Sequence, residues 1–296
     1  MSKLYIMCGL PGSGKSTYAM QLAVKENAIV VSTDNIRELL NGDASIQDNA
    51  EQVFKMAYKL ILKYLDDDSN VIFDATNISY KRRMELIKRY KKHADSIECV
   101  FIAVPYEVCL ERNQKRDRKV PEEVIERMYH NFYVPQLFEG FDKIITVIDK
   151  EHYYYYKIPK DMPQDNPHHT LTILEHCKKA YFNICEVTDD YILKQAALFH
   201  DIGKFKTKKF KDKKGNDTDI AHYYNHENVG AYDIFFYCTP GVISIEEVSQ
   251  ISMYIQWHML PYITMSDKKI KYYDKLLGEE IINNIYLINK ADMSAK

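Results

Sequence analysis

The run Gly9-Leu10-Pro11-Gly12-Ser13-Gly14-Lys15-Ser16-Thr17 constrains this chain more than any other feature. It fits G-x-x-x-x-G-K-[ST], follows an apolar run at 4–8 and opens a helical pattern. Glycine is scarce, 10 residues in 296, so three of them within positions 9–14 mark a local demand on the backbone. Without Cβ atoms in the way, successive N–H groups can wrap phosphate oxygens. The N-terminus of the following helix adds positive potential. Such a loop works only between a strand and a helix, so it predicts an α/β unit. Gly9, Gly12, Ser13, Gly14, Lys15, Ser16 and Thr17 are expected to hold a nucleoside triphosphate. Lys15 should reach the β- and γ-phosphates, and Ser16 should hold Mg²⁺. The loop does not name the acceptor.

The rest of the first half supports that architecture. Short apolar runs at 29–32, 71–74, 99–104 and 144–148 alternate with helical patterns. One helix is expected at 49–65, with Val53, Met56, Ala57, Leu60, Ile61 and Tyr64 on one face. The alternation predicts a parallel sheet covered by helices. A length of 296 residues predicts two domains. The pattern breaks at 151–167, which holds Tyr153, Tyr154, Tyr155 and Tyr156 together with Pro159, Pro163 and Pro167. That stretch reads as a linker between a domain at 1–150 and a domain at 168–296. The tyrosines read as a strand packed between the domains, with nucleobase stacking as the alternative. Helical patterns at 169–185, 190–200, 227–237, 245–259 and 273–292 make the second domain all-α in expectation.

Composition excludes several classes. A hydrophobic fraction of 46% and a charged fraction of 28% rule out a disordered or fibrous chain. No apolar run is long enough for a bilayer, and the N-terminal apolar run is too short for a secretory signal, so a cytoplasmic protein without a membrane partner is expected. Cys8, Cys99, Cys109, Cys177, Cys185 and Cys238 contain no C-x-x-C pair and read as free thiols in a reducing compartment. Net charge is −2, yet all eight Arg lie in the first half. Arg grips phosphates bidentately, so the second half must hold any anion by other means.

Three segments bear on the acceptor. Asp34 and Arg37 follow the second apolar run, where α/β proteins bind ligands. Asp34 can take a proton from an attacking hydroxyl, and Arg37, three residues on, shares its helical face and can hold an acceptor phosphate. Asp74 ends the third run and can place a carboxylate near the metal. Arg112 and Arg116, four apart, read as one face of a helix in a mobile lid that neutralises phosphoryl charge. The basic stretch 81–92 reads as a solvated helix with Met84, Ile87 and Tyr90 buried; tracking a nucleic-acid backbone is the alternative.

The order GLPGSGKST, STDNIR, FDATN, ERNQKR and VPEEVIERMY resembles the phage-type polynucleotide 5′-kinases over about residues 3–149. The resemblance implies that Asp34 is the general base for a 5′-hydroxyl and that Arg37 contacts the neighbouring phosphate of the acceptor. It also implies that Arg112 and Arg116 contact ATP, and that Asp74 matches the aspartate of D-x-T-N. The implied cofactors are ATP and Mg²⁺, and the implied partners are RNA or DNA ends.

In the second half, His200 and Asp201 are adjacent, and His176, His226, His258 and Asp292 lie at long intervals around them. Imidazoles and carboxylates from separate helices supply ligands suited to divalent transition metals. The pattern resembles the HD-domain metal-dependent phosphohydrolases over about residues 168–296. That resemblance implies one metal on His176, His200, Asp201 and Asp292, and a second supported by His226 and His258, the metal being Mn²⁺, Fe²⁺, Ni²⁺, Co²⁺ or Zn²⁺. Lys204 is expected to help bind phosphate. His222 is a spare candidate, and His168 and His169 read as capping or structural residues. Seven Lys within 204–214 read equally as a funnel for a polyanion or as a solvated loop.

The expected function is a bifunctional end-processing enzyme. A 5′-hydroxyl kinase is joined to a phosphohydrolase acting on 2′- or 3′-phosphate or 2′,3′-cyclic phosphate ends. The alternatives are a small-molecule kinase fused to a nucleotide phosphohydrolase, and a nucleotide-responsive switch gating the second domain. The oligomeric state is open.

Overall fold

The computed structural model describes residues 2–42, 49–153, 155–167, 170–237, 243–263 and 266–295. Tyr154, His168, His169 and Cys238 lie outside them. The described residues form two compact units. One comprises Met1–Tyr129 and Pro135–Lys150, the other His130–Val134 and Glu151–Lys296.

The first unit is a five-stranded parallel sheet: β1 Lys3–Cys8, β2 Ala28–Ser32, β3 Asn70–Asp74, β4 Ser96–Ala103 and β5 Lys143–Ile148, in the order β2-β3-β1-β4-β5. Its helices are α1 Lys15–Glu26, α2 Thr33–Asn41, α3 Ala50–Asp66, α4 Tyr80–Tyr90, α5 Tyr106–Gln114 and α6 Glu122–His130. β1, β3 and β4 are almost continuously buried, as strands covered on both faces must be. β1 lies centrally, and β2 pairs with β3 so that Ser32 stands opposite Asp74. The C-terminal ends of β1, β2 and β3 therefore lie side by side, at the edge where ligands bind in such sheets.

The basic helix departs from expectation. Arg83 of α4 is fully buried, and its guanidinium donates to both carboxylate oxygens of Glu139 at 2.7 and 2.6 Å. Its Nη1 also donates to the carbonyl of Asn77 at 2.8 Å, while the Asn77 amide donates to the carbonyl of Met7. The bidentate ion pair thus fixes α4 to residues 137–139, and Asn77 ties the turn after β3 both to α4 and to the end of β1. A charge in the middle of a cationic run reads as solvated unless its partner, 56 positions later, is known.

The second unit is helical: α7 Ile173–Cys185, α8 Tyr191–Phe199, α9 Lys204–Thr207, α10 His226–Asp233, α11 Ile245–Trp257, α12 Asp267–Leu277 and α13 Glu279–Met293. Thr172 and Ser244 start α7 and α11 with capping boxes closed by Glu175 and Glu247. The helix expected at 273–292 is broken at Gly278, whose φ of 85° leaves the helical region. The unit is also not all-α. Lys209–Lys211 (β6) and Asp217–His222 (β7) form an antiparallel hairpin. Asp212 organises its turn, accepting from the amides of Lys214 and Asn216. The lysine-rich stretch is therefore structured; it begins with a helical turn and continues into this hairpin.

The segment 151–167 folds onto the helical unit. Tyr156 is not in a strand; its ring meets Phe236 and Tyr237, and Lys206 lies 3.5 Å from the ring centre. Residues 130–134 join the same unit, because Gln256 bonds to the carbonyl of Phe132 and the amide of Val134.

Candidate functional site

In the α/β unit Lys15, Ser16, Asp34, Arg37, Asp74 and Arg116 line one cleft of about 940 Å³. Gly12 has a φ of 83°, and a Cβ there would collide with the carbonyl oxygen of Cys109, so only glycine fits this turn. Lys15, the first residue of α1, is buried, and its Nζ donates to the carbonyl of Leu10 at 2.8 Å. Burial pushes its ammonium below its ordinary range, opposed chiefly by the attraction of Asp74. The Ser13 hydroxyl is buried without a hydrogen-bond partner, a cost of about 1–3 kcal/mol that a phosphate oxygen would relieve. Thr17 is exposed on α1.

The Ser16 hydroxyl donates to Asp74 Oδ2 at 2.7 Å. A hydroxyl beside a carboxylate is the hard-oxygen donor set that Mg²⁺ takes together with nucleotide phosphates, so these residues fit that ion.

Ser32 caps α2, and Asp34 and Arg37 lie in its first two turns. Arg37 Nη1 donates to Asp34 Oδ1 at 2.7 Å, as their shared helical face requires. Arg37 is buried, and its Nε has no partner. A second guanidinium, Arg118, lies 3.1 Å from Asp34 Oδ2. Asp34 is thus held between two cations in the cleft that also contains Lys15, Ser16 and Asp74.

Arg112 and Arg116 do not share a helix. α5 stops at Gln114, leaving Arg112 in its last turn and Arg116 in the loop that follows. Arg116 lines the cleft and Arg112 does not. The cause is Asn113, which is buried. Its amide donates to the carbonyl of Val120 at 2.8 Å, and its Oδ1 accepts from the amide of Val120 at 3.0 Å. One side chain ties off the loop 115–119 and presents Arg116, Arg118 and Lys119 to the cleft. Sequence reasoning missed Asn113, Arg118, Lys119 and Arg127. Arg118 was within reach, since it belongs to the same cationic run.

The helical unit brings its imidazoles and carboxylates together. His176 comes from α7, His200 and Asp201 follow α8, His226 begins α10, His258 follows α11 and Asp292 is near the end of α13. All six are buried. His176 Nε2 lies 3.2 Å from His200 Nε2 and 2.9 Å from Asp292 Oδ1. His226 Nε2 lies 3.2 Å from His258 Nε2. Asp201 joins the two pairs, Oδ2 at 3.4 Å from both His176 and His200, Oδ1 at 3.2 Å from His226. A Cβ on Gly203 would strike the His226 carbonyl, so a glycine after the His-Asp pair permits this approach.

The hydrogen bonds on the far side of each ring decide what the cluster can hold. The four Nδ1 atoms face the carbonyls of Ala295, Ala197, Tyr223 and Ile255 at 3.1, 2.8, 2.8 and 2.6 Å. A carbonyl only accepts, so each Nδ1 carries a proton and donates outward, and each ring turns its Nε2 inward. Two Nε2 atoms 3.2 Å apart must share a proton or a metal cation, since bare lone pairs at that distance repel. Backbone carbonyls orienting imidazoles in this way characterise metal ligands. Two groups, His176-His200-Asp201 and Asp201-His226-His258, have ligand atoms mutually close enough for one ion each. The residues fit one or two transition-metal ions.

The carboxylates favour positive charge at the cluster: burial lowers His200, but Asp201 and Asp292 outweigh it and hold its imidazole well above the ordinary range. Burial raises a carboxyl, but Lys204 and His200 outweigh it and hold Asp201 well below the usual carboxylate range. Burial, with His226 and His200 nearby, lowers His258 to about 3, so its ring stays neutral. Lys204 Nζ lies 2.6 Å from Asp201 Oδ2 and 2.8 Å from Gln164 Oε1. The Tyr262 hydroxyl donates to Asp292 Oδ2 at 2.7 Å. Neither Gln164 nor Tyr262 was anticipated, and no local pattern marks them. His222 stacks on Tyr224, outside the cluster.

Comparison with known proteins bears on the α/β cleft. The family described as AAA domain matches residues 4–135. The L-seryl-tRNA(Sec) kinase of Methanococcus maripaludis is 30% identical over 183 residues, 58% of this chain and 69% of that protein. This chain belongs to the same P-loop kinase family. The "Putative bifunctional polynucleotide kinase/RNA ligase" of Autographa californica nuclear polyhedrosis virus is 30% identical over 159 residues, 47% of this chain and 22% of that protein. A chain in the structure of the Pnkp1/Rnl/Hen1 RNA repair complex is 30% identical, with a TM-score of 0.41 and coverage of 44% of this chain and 43% of that one. This P-loop kinase therefore spans less than half of the latter two proteins. No described helix is long and apolar enough to cross a membrane.

Proposed function

We propose that this P-loop kinase processes nucleic-acid ends, with phosphoryl transfer in the α/β unit and phosphoester hydrolysis in the helical unit. The observation that carries the kinase reading is the position of Asp34. Its carboxylate lies just past the end of β2, in one cleft with Lys15, Ser16 and Asp74, beside a buried Arg37 with a free Nε. Asp34 takes the proton of a 5′-hydroxyl as the oxygen attacks the γ-phosphorus of ATP and ADP leaves. Arg37 turns to the adjacent acceptor phosphate, and Arg116 and Arg118 neutralise the transferring group. Ser16 and Asp74 would hold Mg²⁺, which neutralises β- and γ-phosphate charge when bound.

The hydrolase reading is supported by the four inward Nε2 atoms around Asp201. His176, His200, Asp201 and Asp292 would hold one ion, with His226 and His258 holding a second. Such ions polarise a phosphoester and lower the pKa of bound water. Lys204, kept beside Asp201, would supply a cation for phosphate in a unit whose sequence contains no Arg. The two activities would convert a 5′-hydroxyl and a phosphorylated 3′ end into the ends that ligation requires.

The seryl-tRNA(Sec) kinase relative favours a second reading, in which the acceptor hydroxyl belongs to an aminoacylated tRNA. Both readings are tested with labelled ATP and a panel of 5′-hydroxyl RNA and DNA oligonucleotides, mononucleosides and seryl-tRNA. Oligonucleotides labelled in preference to the rest support the end-processing reading. Labelling of seryl-tRNA alone replaces it. Incubating 2′,3′-cyclic, 2′- and 3′-phosphate ends with Mn²⁺, Ni²⁺ or Co²⁺ tests the second unit, and no release of phosphate or opening of the cycle overturns that part.

A further inference from the structure

The cleft that holds Lys15 and Asp34 is also lined by two aromatic rings, Phe54 and Tyr58 of α3. Val53, Ala57, Ile61 and Leu65 are the buried stripe of that helix. Phe54 and Tyr58 sit one residue to the side of it, half-buried and four apart, so they share a face that opens into the cleft. Their centroids are 5.9 Å apart, and Tyr58 rests edge-on against Phe73 of β3, which anchors the pair. Arg82 of α4 lines the same cleft with its guanidinium 5.9 Å from the Phe54 centroid. Seven cationic and four acidic side chains line the cleft in all, so it attracts anions.

An aromatic face beside a guanidinium, within an anion-attracting cleft, fits a flat base joined to a phosphate. Stacking on such rings is worth a large factor per base and hardly depends on which base it is. We propose that Phe54, backed by Tyr58 and flanked by Arg82, is a stacking subsite for an unpaired nucleobase at the 5′ end of the acceptor. The substrate class is then single-stranded polynucleotide, accepted with little base preference. Duplex ends are poorer acceptors because the terminal base must first leave its own stack. The inference rests on the reading of this cleft as a 5′-hydroxyl kinase site.

The test compares the KM for 5′-hydroxyl oligonucleotides in the wild type, Phe54→Leu, Phe54→Trp and Arg82→Ala, with the KM for ATP measured alongside. Phe54→Leu keeps an apolar side chain but removes the π face. It is expected to raise the oligonucleotide KM about 5- to 100-fold, with the ATP KM within about twofold of wild type. Phe54→Trp should restore it. Arg82→Ala should raise the KM as well and flatten its dependence on salt. Single-stranded ends should be preferred to blunt duplexes, and the four 5′ bases should be phosphorylated within a few-fold of one another. An unchanged oligonucleotide KM in Phe54→Leu, or a preference for blunt duplex, overturns the subsite while leaving the kinase intact. A wild-type protein that phosphorylates no polynucleotide overturns the kinase reading itself, and the subsite with it.

Discussion

The two units assemble their candidate sites in opposite ways. In the α/β unit the candidate phosphate cradle comes from one continuous stretch, 9–17, which runs from the end of β1 into the first turn of α1 and offers backbone N–H groups. In the helical unit the six side chains of the candidate metal site come from five separated segments between 176 and 292, and backbone carbonyls serve only to aim the rings. The first arrangement can be read locally, because a strand–loop–helix junction contains all its parts. The second exists only once the helices have packed. The charges differ accordingly. All the arginines lie in the first half, and the second relies on imidazoles, carboxylates and one buried Lys. The described members of each set nevertheless lie within a single unit.

The largest expected effect on this contrast is at Asp34. Asp34→Asn keeps the shape and removes the base, so phosphoryl transfer should fall ~10²–10⁴-fold with ATP binding retained. Titrating ATP by calorimetry beside the kinetic assay checks both parts, and full activity in the variant removes Asp34 from that role. Next is Glu139→Gln. It leaves Arg83 buried without its counter-charge, and removing one partner of a buried pair costs about 3–5 kcal/mol. Denaturant unfolding should show the loss in the transition of the α/β unit, with metal binding by the helical unit unchanged. A loss below about 1 kcal/mol would mean that the pair does not fix α4 to residues 137–139.

Two smaller effects sharpen the comparison. Tyr262→Phe removes the hydroxyl that orients Asp292 and should weaken transition-metal affinity about 10- to 100-fold, measured by competition with a chelator. Asn113→Ala unties the arginine loop and should lower kcat/KM for phosphoryl transfer about tenfold with little change in melting temperature. Asn113→Asp, which keeps only the bond from the Val120 amide, should fall between. Equal activity in all three forms would show that the loop needs no clasp.

The same contrast explains what could be read in advance. Gly9 to Ser16, the alternation of strands and the Asp34–Arg37 spacing are local, and they appear as expected. The six metal-site candidates were recognisable because His, Asp and their intervals form a pattern even without a structure. Features fixed by distant partners were not recognisable. Arg83 reads as solvent-facing until Glu139 is placed beside it. Arg116 reads as helical until Asn113 is seen to close the loop on Val120. The β6–β7 hairpin is too short, and too rich in Lys and Asp, for an apolar alternation, although Asp212 and Gly215 mark its turn. Phe54 and Tyr58 were missed for another reason. The buried stripe of α3 already accounts for that helix, so its second, cleft-facing stripe attracts no notice.

The central claim is that each unit holds a complete site of its own. Lys15→Ala and Asp201→Ala, each assayed for phosphoryl transfer, phosphoester hydrolysis and metal content by elemental analysis, test it most directly. Asp201 touches both histidine pairs, so its loss should empty the cluster of metal and abolish hydrolysis while phosphoryl transfer persists. Lys15→Ala should abolish phosphoryl transfer and leave metal content and hydrolysis at wild-type levels. Folded variants in which either substitution removes both activities, or an Asp201→Ala protein that keeps its metal and hydrolyses phosphoesters, would contradict the account.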